Sequence, residues 1–207
     1  MTRFVANSTA VAGRINRFYG RDADVVHPPV RTDFYTPSDG EREGFLFVGR
    51  LVSYKRADLV VEAFAGLPHT LTVVGGGHQL ESLKRRATPN VHFRSGLSDT
   101  ELRELYRTSL AMVFPGVEDF GIVMAEAQAC GTPVIATAAG GALDIVRPEE
   151  TGWLLDEPSV ESIRAAVDAA ASRPFDPQGI AAAAARFSSD RFRSGMRRIV
   201  EQTVAGG

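Results

Sequence analysis

Two carboxylates, Glu118 and Glu126, stand eight positions apart in VFPGVEDFGIVMAEAQACGTPVIAT (113–137), a stretch otherwise rich in apolar and small residues. If AMVFP (111–115) is a strand and GIVMAEAQAC (121–130) a helix, Glu118 belongs to the connecting loop. Gly121, Ile122 and Val123 then present unpaired N–H groups at the helix N-terminus, which is a site for anions. Glu126 falls one to two turns into the helix, with its side chain leaning back toward the same end. The positive pole there favours the ionised carboxylate. Such a group accepts two hydrogen bonds, which suits the vicinal hydroxyls of a ribose, and Glu118, free of the helix, can meet a second polyol. On spacing alone an alternative stands: Glu126 caps or pairs locally and Glu118 is solvated.

The elements that must position these acids are legible as periodicity. Short apolar runs recur at ADVVH (23–27), FLFVG (45–49), LTVVG (71–75), VHFRS (91–95), AMVFP (111–115), PVIAT (133–137) and GWLLD (152–156). Most are continuous rather than alternating, as strands buried on both faces are. Helical patterns separate them at 56–66, 78–87, 99–109, 121–130, 140–147 and 159–172. Alternating strand and helix predicts an α/β fold with a doubly wound, Rossmann-like parallel sheet. Asn7 or Ser8 opens a helix over 7–20. Phe187, Ser188 and Phe192 match a hydrophobic staple, and Phe192, Met196, Ile199 and Val200 form the stripe of a final amphipathic helix whose arginines read as a solvated face. Residues 174–185 read only as mildly Ala-rich.

In such a sheet ligands gather outside the carboxyl ends of the strands. FLFVG is followed there by RLVSYKR, with Arg50 and Lys55; LTVV by Gly75, Gly76 and Gly77; AMVFP by GVEDFGIV. These three loops hold groups suited to a diphosphate. The triple glycine is not a dinucleotide fingerprint, because Leu80 stands where the third glycine belongs, and no P-loop is present. A tight strand-to-helix turn accounts for it as well as a ligand loop does.

Composition narrows the classes. The 207 residues suffice for one well-covered core, and a net charge of -2 argues against a nucleic-acid partner. A single cysteine, Cys130, excludes a disulfide framework within the chain, and the four histidines lack ligand spacing, so no metal site is expected. No apolar run is long enough to span a membrane, and the first residues do not read as an export signal.

The string E-D-F-G-I-V-x-x-E (118–126), followed by A-x-x-x-G-T-P-V-I-A (127–136), resembles the signature of retaining, nucleotide-sugar-dependent glycosyltransferases of the GT-B fold, relatives of sucrose and glycogen synthases. The likeness continues through VGRLVSYKR, LTVVGGG, VHFRSGLSDTELRELY, GGALDIV and TGWLL in the family's order, over about residues 5–205. YGRDADVVHPPV, YKR, EDFGIV and FDPQGIAAAAARFSSDRF are most similar to GDP-mannose-dependent mannosyltransferases that build bacterial O-antigen and exopolysaccharide.

The resemblance implies the donor-binding, second domain of a GT-B enzyme, moving a hexose, with mannose from GDP-mannose expected, to a glycan or lipid-linked acceptor. Residues 1–20 would be the tail of an N-terminal domain, 21–185 the nucleotide-sugar domain and 186–207 a C-terminal helix. The acceptor-binding N-terminal domain would be a partner without counterpart in this chain, and the location cytoplasmic or peripheral at the inner face of the membrane. Arg50 and Lys55 would neutralise the donor diphosphate, Glu118 hold sugar hydroxyls, Glu126 the ribose, and Gly121, Ile122 and Val123 the phosphate or sugar. Gly49, Gly76, Gly77 and Phe120 would line the donor, with the base near Gly96, Leu97 and Ser98. No metal or other cofactor is implied. Two other classes fit the same fold: a non-catalytic nucleotide-binding module and a sugar-nucleotide epimerase.

Overall fold

The computed structural model describes residues 3–205; residues 1–2 of the expected tail and 206–207 of the expected final helix lie outside the described residues. Strand β1 (Phe4–Ala6), helix α1 (Thr9–Tyr19) and strand β2 (Ala23–Val25) form a βαβ unit with its own two-stranded parallel sheet. Ser8, rather than Asn7, caps α1, its hydroxyl accepting from Val11 N. The run at 23–27 is therefore a strand but not part of the main sheet. Asp24 in its middle pairs with Arg3 at 2.8 Å, and Pro28 and Pro29 follow it, so it has neither the apolar faces nor the donors of a central strand.

The six remaining runs build the main sheet. In chain order they are β3 (Phe45–Val48), α2 (Ala57–Ala63), β4 (Leu71–Val74), α3 (Leu80–Arg86), β5 (Val91–Arg94), α4 (Asp99–Thr108), β6 (Ala111–Phe114), α5 (Ile122–Ala129), β7 (Val134–Thr137), α6 (Ala142–Ile145) and β8 (Gly152–Leu155). The strands lie in the order β5-β4-β3-β6-β7-β8, all parallel. Three helices follow: α7 (Val160–Ser172), α8 (Pro177–Ala184) and α9 (Ser189–Ala205). Helix α2 packs on α3 and α7, while α5 packs on α4 and α8. Both sheet faces are thereby covered, and every residue of β3, β6 and β7 is buried. Phe47 and Phe114, stacked at 5.7 Å in this core, each stabilise it by roughly 1.5–3 kcal/mol through burial.

Helix α8 was not legible as periodicity, because alanines blur its faces. Its start is nonetheless written locally: Asp176 accepts from Gln178 N at 3.0 Å and Pro177 occupies the first helical position. Within α9, Ile199 is buried, Phe192 and Met196 are half-buried and Val200 is 56% exposed, so only part of the expected stripe is covered.

One side chain joins the ends of the two helices nearest the acids. Arg42 donates to the carbonyls of Tyr106 (3.3 Å) and Ser109 (3.0 Å) at the end of α4, to Cys130 O (2.9 Å) at the end of α5, and to Thr132 Oγ1 (2.7 Å). Burial pushes its pKa down, yet it remains a cation at the negative poles of two helices. Arg42→Met leaves those carbonyls without a donor, and urea unfolding should show a loss of about 2–4 kcal/mol. An unchanged urea midpoint would mean that solvent or repacking satisfies the helix ends unaided.

Candidate functional site

The strand order reverses between β3 and β6, where successive connections leave in opposite directions; ligands of such sheets bind outside the carboxyl ends at this point, so the candidate crevice lies between the loops that follow these two strands. The loops bordering it pack backbone to backbone. Gly75 has φ +144, and a Cβ there would lie 1.9 Å from Gly49 O; one on Gly77 would lie 2.4 Å from Leu51 O. Leu51 N donates to Gly76 O at 2.9 Å. Two of the three glycines thus admit the neighbouring loop, whereas Gly76 is exposed with open space where its Cβ would be. The loop carrying Glu118 is clamped likewise: a Cβ on Gly116 would meet Lys55 Cα at 2.8 Å, one on Gly141 would meet Phe120 O at 2.1 Å, and Gly141 N donates to Glu118 O at 2.9 Å.

Lys55 and Glu118 are brought into direct contact as an ion pair, with side chains only 13% and 22% exposed. The Lys55 ammonium also lies 5.2 Å from the Phe114 ring centroid and 5.4 Å from that of Tyr54. The two groups expected to act separately, one on phosphate and one on hydroxyls, therefore form one charged unit on adjoining loops. Arg50, two residues past β3, is exposed and in no ion pair among the described residues. Asp119, next to Glu118, is held by Arg14 of α1 at 2.5 Å.

Helix α5 begins at Gly121, which adopts a left-handed conformation (φ 91) and offers no side chain as a cap. Ile122 in its first turn is 42% exposed and Val123 half-buried. One turn on, Glu126 accepts a hydrogen bond from the Tyr106 hydroxyl at 3.2 Å. Burial pushes the Glu126 carboxyl up to about 7, against the lowering influence of Tyr106 and Arg31. This reverses the expectation of a carboxylate held ionised by its helix. A helix pole contributes about 0.3–1 kcal/mol, whereas a rise from 4.5 to about 7 corresponds to about 3 kcal/mol of desolvation.

Of the remaining expected residues, Gly49 donates to Val74 O at 3.0 Å at the sheet rim. Gly96 and Leu97 follow β5, an edge strand two places from β3, on the same rim. Ser98 caps α4 in a capping box with Glu101. The Phe120 ring faces the interior: it is 4% exposed and packs 5.6 Å from His27 and 5.3 Å from Phe187. Its side chain anchors the loop instead of lining the crevice.

Sequence reasoning missed Tyr106, Gly140, Gly141 and Asp144. Tyr106 reads as one more apolar residue of α4, and nothing in the local pattern marks Asp144, which accepts from Thr9 N (2.8 Å) and Thr9 Oγ1 (2.6 Å). A cavity of about 530 Å³ does lie at the opposite end of the strands, bordered by Arg42, Arg173 and Phe175. Its two arginines are already engaged, Arg42 by helix carbonyls and Arg173 by Glu149.

Comparison with known proteins identifies the family and the fold. Residues 32–187 match the family described as "Glycosyl transferases group 1". The D-inositol 3-phosphate glycosyltransferase of Mycobacterium tuberculosis (strain ATCC 25618 / H37Rv) is 33% identical over 192 residues, covering 80% of this chain. The chain spans 40% of the length of the curated relatives it matches. Among solved structures, sucrose-phosphate synthase from Thermosynechococcus elongatus superposes with a TM-score of 0.84 at 23% identity, covering 98% of this chain and 58% of that one. Anabaena HepE in complex with UDP-glucose gives 0.80 at 22% identity, covering 98% and 64%. At these identities the structural likeness carries the fold alone.

Glu126 also makes stability depend on pH. Its folded pKa of about 7 exceeds the ordinary 4.5, so the folded chain binds the proton more tightly. The cost of the buried charge is absent below pH 4.5, grows as pH rises, and is complete above pH 7. Glu126→Gln should therefore stabilise the chain by about 1–3 kcal/mol at pH 8 and by almost nothing at pH 4.5. Urea titrations at the two pH values read this directly; a gain that does not change with pH would show that ionisation of Glu126 is not its source.

Proposed function

Because the chain belongs to the group 1 glycosyl transferases, we propose that it is the donor-binding part of a retaining glycosyltransferase that moves a hexose from a nucleotide diphosphate sugar to a glycan or lipid-linked acceptor. The observation that carries this reading is the convergence, at the switch point of the sheet, of the Lys55–Glu118 pair, the uncapped start of α5 and the half-buried Glu126. Among the described residues no helix is long and apolar enough to cross a membrane.

In this reading the diphosphate lies across the crevice, its charge met by Arg50, Lys55 and the N–H groups of Gly121, Ile122 and Val123. Negative charge grows on the leaving phosphate as the glycosidic bond breaks, and donors fixed in place before reaction stabilise it most. Glu118 takes sugar hydroxyls while its contact with Lys55 keeps the ammonium beside the phosphate. Glu126 accepts the ribose hydroxyls in its ionised form. Since charge neutralisation is assigned to these groups, neither a metal nor another cofactor is required.

For the donor, we favour GDP-mannose, on the likeness of YGRDADVVHPPV and YKR to mannosyltransferases. A UDP-sugar is the second reading, favoured by the UDP-glucose held by the similarly folded HepE. A thermal-shift panel of GDP, UDP, ADP and dTDP with their sugar conjugates decides between them, because stabilisation follows RT ln(1 + [L]/Kd). A preference for intact conjugates over bare nucleotides supports a transferase donor site; equal response to both points to a nucleotide-binding module.

Calorimetry with the preferred nucleotide and conjugate then separates the acids. Glu126→Gln should weaken both ligands by about 1.5–3 kcal/mol, the worth of a charge-assisted hydrogen bond, whereas Glu118→Gln should spare the bare nucleotide. Lys55→Ala should weaken both and flatten the salt dependence, with no response to chelator in the parent chain. Equal losses for both ligands in both glutamate variants would remove the assigned division of labour.

A further inference from the structure

Tyr106 has no part in the reading above, yet among the described residues it is the one side chain that donates to Glu126. It is fully buried. Its position is fixed from three directions. Its carbonyl accepts from Arg42 and from the Thr132 hydroxyl, and the Tyr35 ring meets its own ring edge-on at 5.9 Å. A hydroxyl held this rigidly defines where Glu126 Oε2 can sit, and its proton favours the ionised acid over the neutral one.

We propose that Tyr106 is the positioning residue for Glu126: its hydroxyl fixes one carboxylate oxygen, leaving the other, as an anionic acceptor, for the paired hydroxyls of the nucleotide's ribose. This rests on the assignment of Glu126 to the ribose. The groups facing Glu126 from the surrounding elements are Tyr106 and Asp99 of α4, Arg31 and Tyr35 of the segment before β3, and Cys130 at the end of α5. Arg31 is held by Asp99 at 2.6 Å, so its charge is largely spoken for. The Cys130 thiol, pushed up to about 12 by burial, stays neutral at neutral pH, and Tyr35 is raised by burial. Tyr106 itself is raised well above its ordinary value, so it remains a donor across the accessible pH range. That leaves the Tyr106 hydroxyl as the direct support for the ionised form of Glu126.

The test is Tyr106→Phe, which keeps the ring and its packing while deleting the donor. In chain labelled with 13C at glutamate carboxyls, the Glu126 resonance, identified by its absence in Glu126→Gln, should titrate near pH 7 in the parent. Its midpoint should lie about 1 pH unit higher in Tyr106→Phe. Affinity for the nucleotide diphosphate chosen by the panel should fall roughly fivefold at pH 7 and recover toward the parent value at pH 9. A merely structural role predicts an equal loss at every pH and an unmoved midpoint, and either result overturns the proposal. If the midpoint moves while Glu126→Gln binds nucleotide as tightly as the parent, the ribose assignment fails and the support of Glu126 by Tyr106 stands.

Discussion

A parallel sheet covered by helices on both faces has no room for unpaired polar groups along its strands, so its chemistry is confined to the strand ends. Every residue of β3, β6 and β7 is buried, and the functional groups lie just past the last of them: Arg50 and Lys55 after β3, Glu118 and Gly121 after β6. The strand order reverses between β3 and β6, the point at which sheets of this kind bind ligands. What then fixes the loops is the lack of side chains. Gly75 on Gly49, Gly116 on Lys55 and Gly141 on Phe120 bring backbone against backbone at distances no Cβ could share. The rim is rigid for the same reason that its sequence is rich in glycine.

That frame puts two acids of one short segment in different surroundings. Glu118 meets the Lys55 ammonium in direct contact. Among the described residues Glu126 has no cation in contact; a hydroxyl is its partner, and burial dominates its titration. The difference follows from position: the loop brings Glu118 to a neighbouring strand end that carries a lysine, whereas the helix carries Glu126 inward between α4 and α5. An acid near neutrality accepts strong hydrogen bonds when ionised and releases them at little cost, which would suit the reversible ribose contact proposed for it.

The strand runs of the main sheet, its parallel character and the two acids were legible because each depends on local pattern: continuous apolar runs, turn residues and the spacing within one helix. The 23–27 run was legible as a strand but not as a stranger to the main sheet, because partner choice depends on β1, a strand of three residues with no periodicity to read. Helix α8 was hidden by alanine, which is helical without marking a face. At the site, the Lys55–Glu118 contact joins residues far apart in the chain, so spacing could not reveal it. The inward turn of Phe120 and the donor role of Tyr106 were likewise invisible, since an aromatic residue in an apolar pattern reads the same whether or not its edge reaches a functional group.

The site is also tied to the part of the chain that precedes the main sheet. Arg14 of α1 holds Asp119, the residue between Glu118 and Phe120, and Thr9 at the start of α1 donates twice to Asp144 of α6. His27, just past β2, packs between Phe120 and Phe187 and approaches Asp144 at 3.4 Å. The loop bearing Glu118 is therefore gripped from below by glycine-mediated contacts with the strand-end loops and from the side by the βαβ unit. The first grip is steric and fixed by the fold; the second combines the exposed Arg14–Asp119 pair, of a kind that contributes about 0–1 kcal/mol, with the two Thr9–Asp144 hydrogen bonds. A displacement of the N-terminal unit would thus meet little resistance at Arg14, while the backbone frame around Lys55, Glu118 and Gly121 kept its shape. The backbone frame around the charged groups is separated from the contacts that can yield.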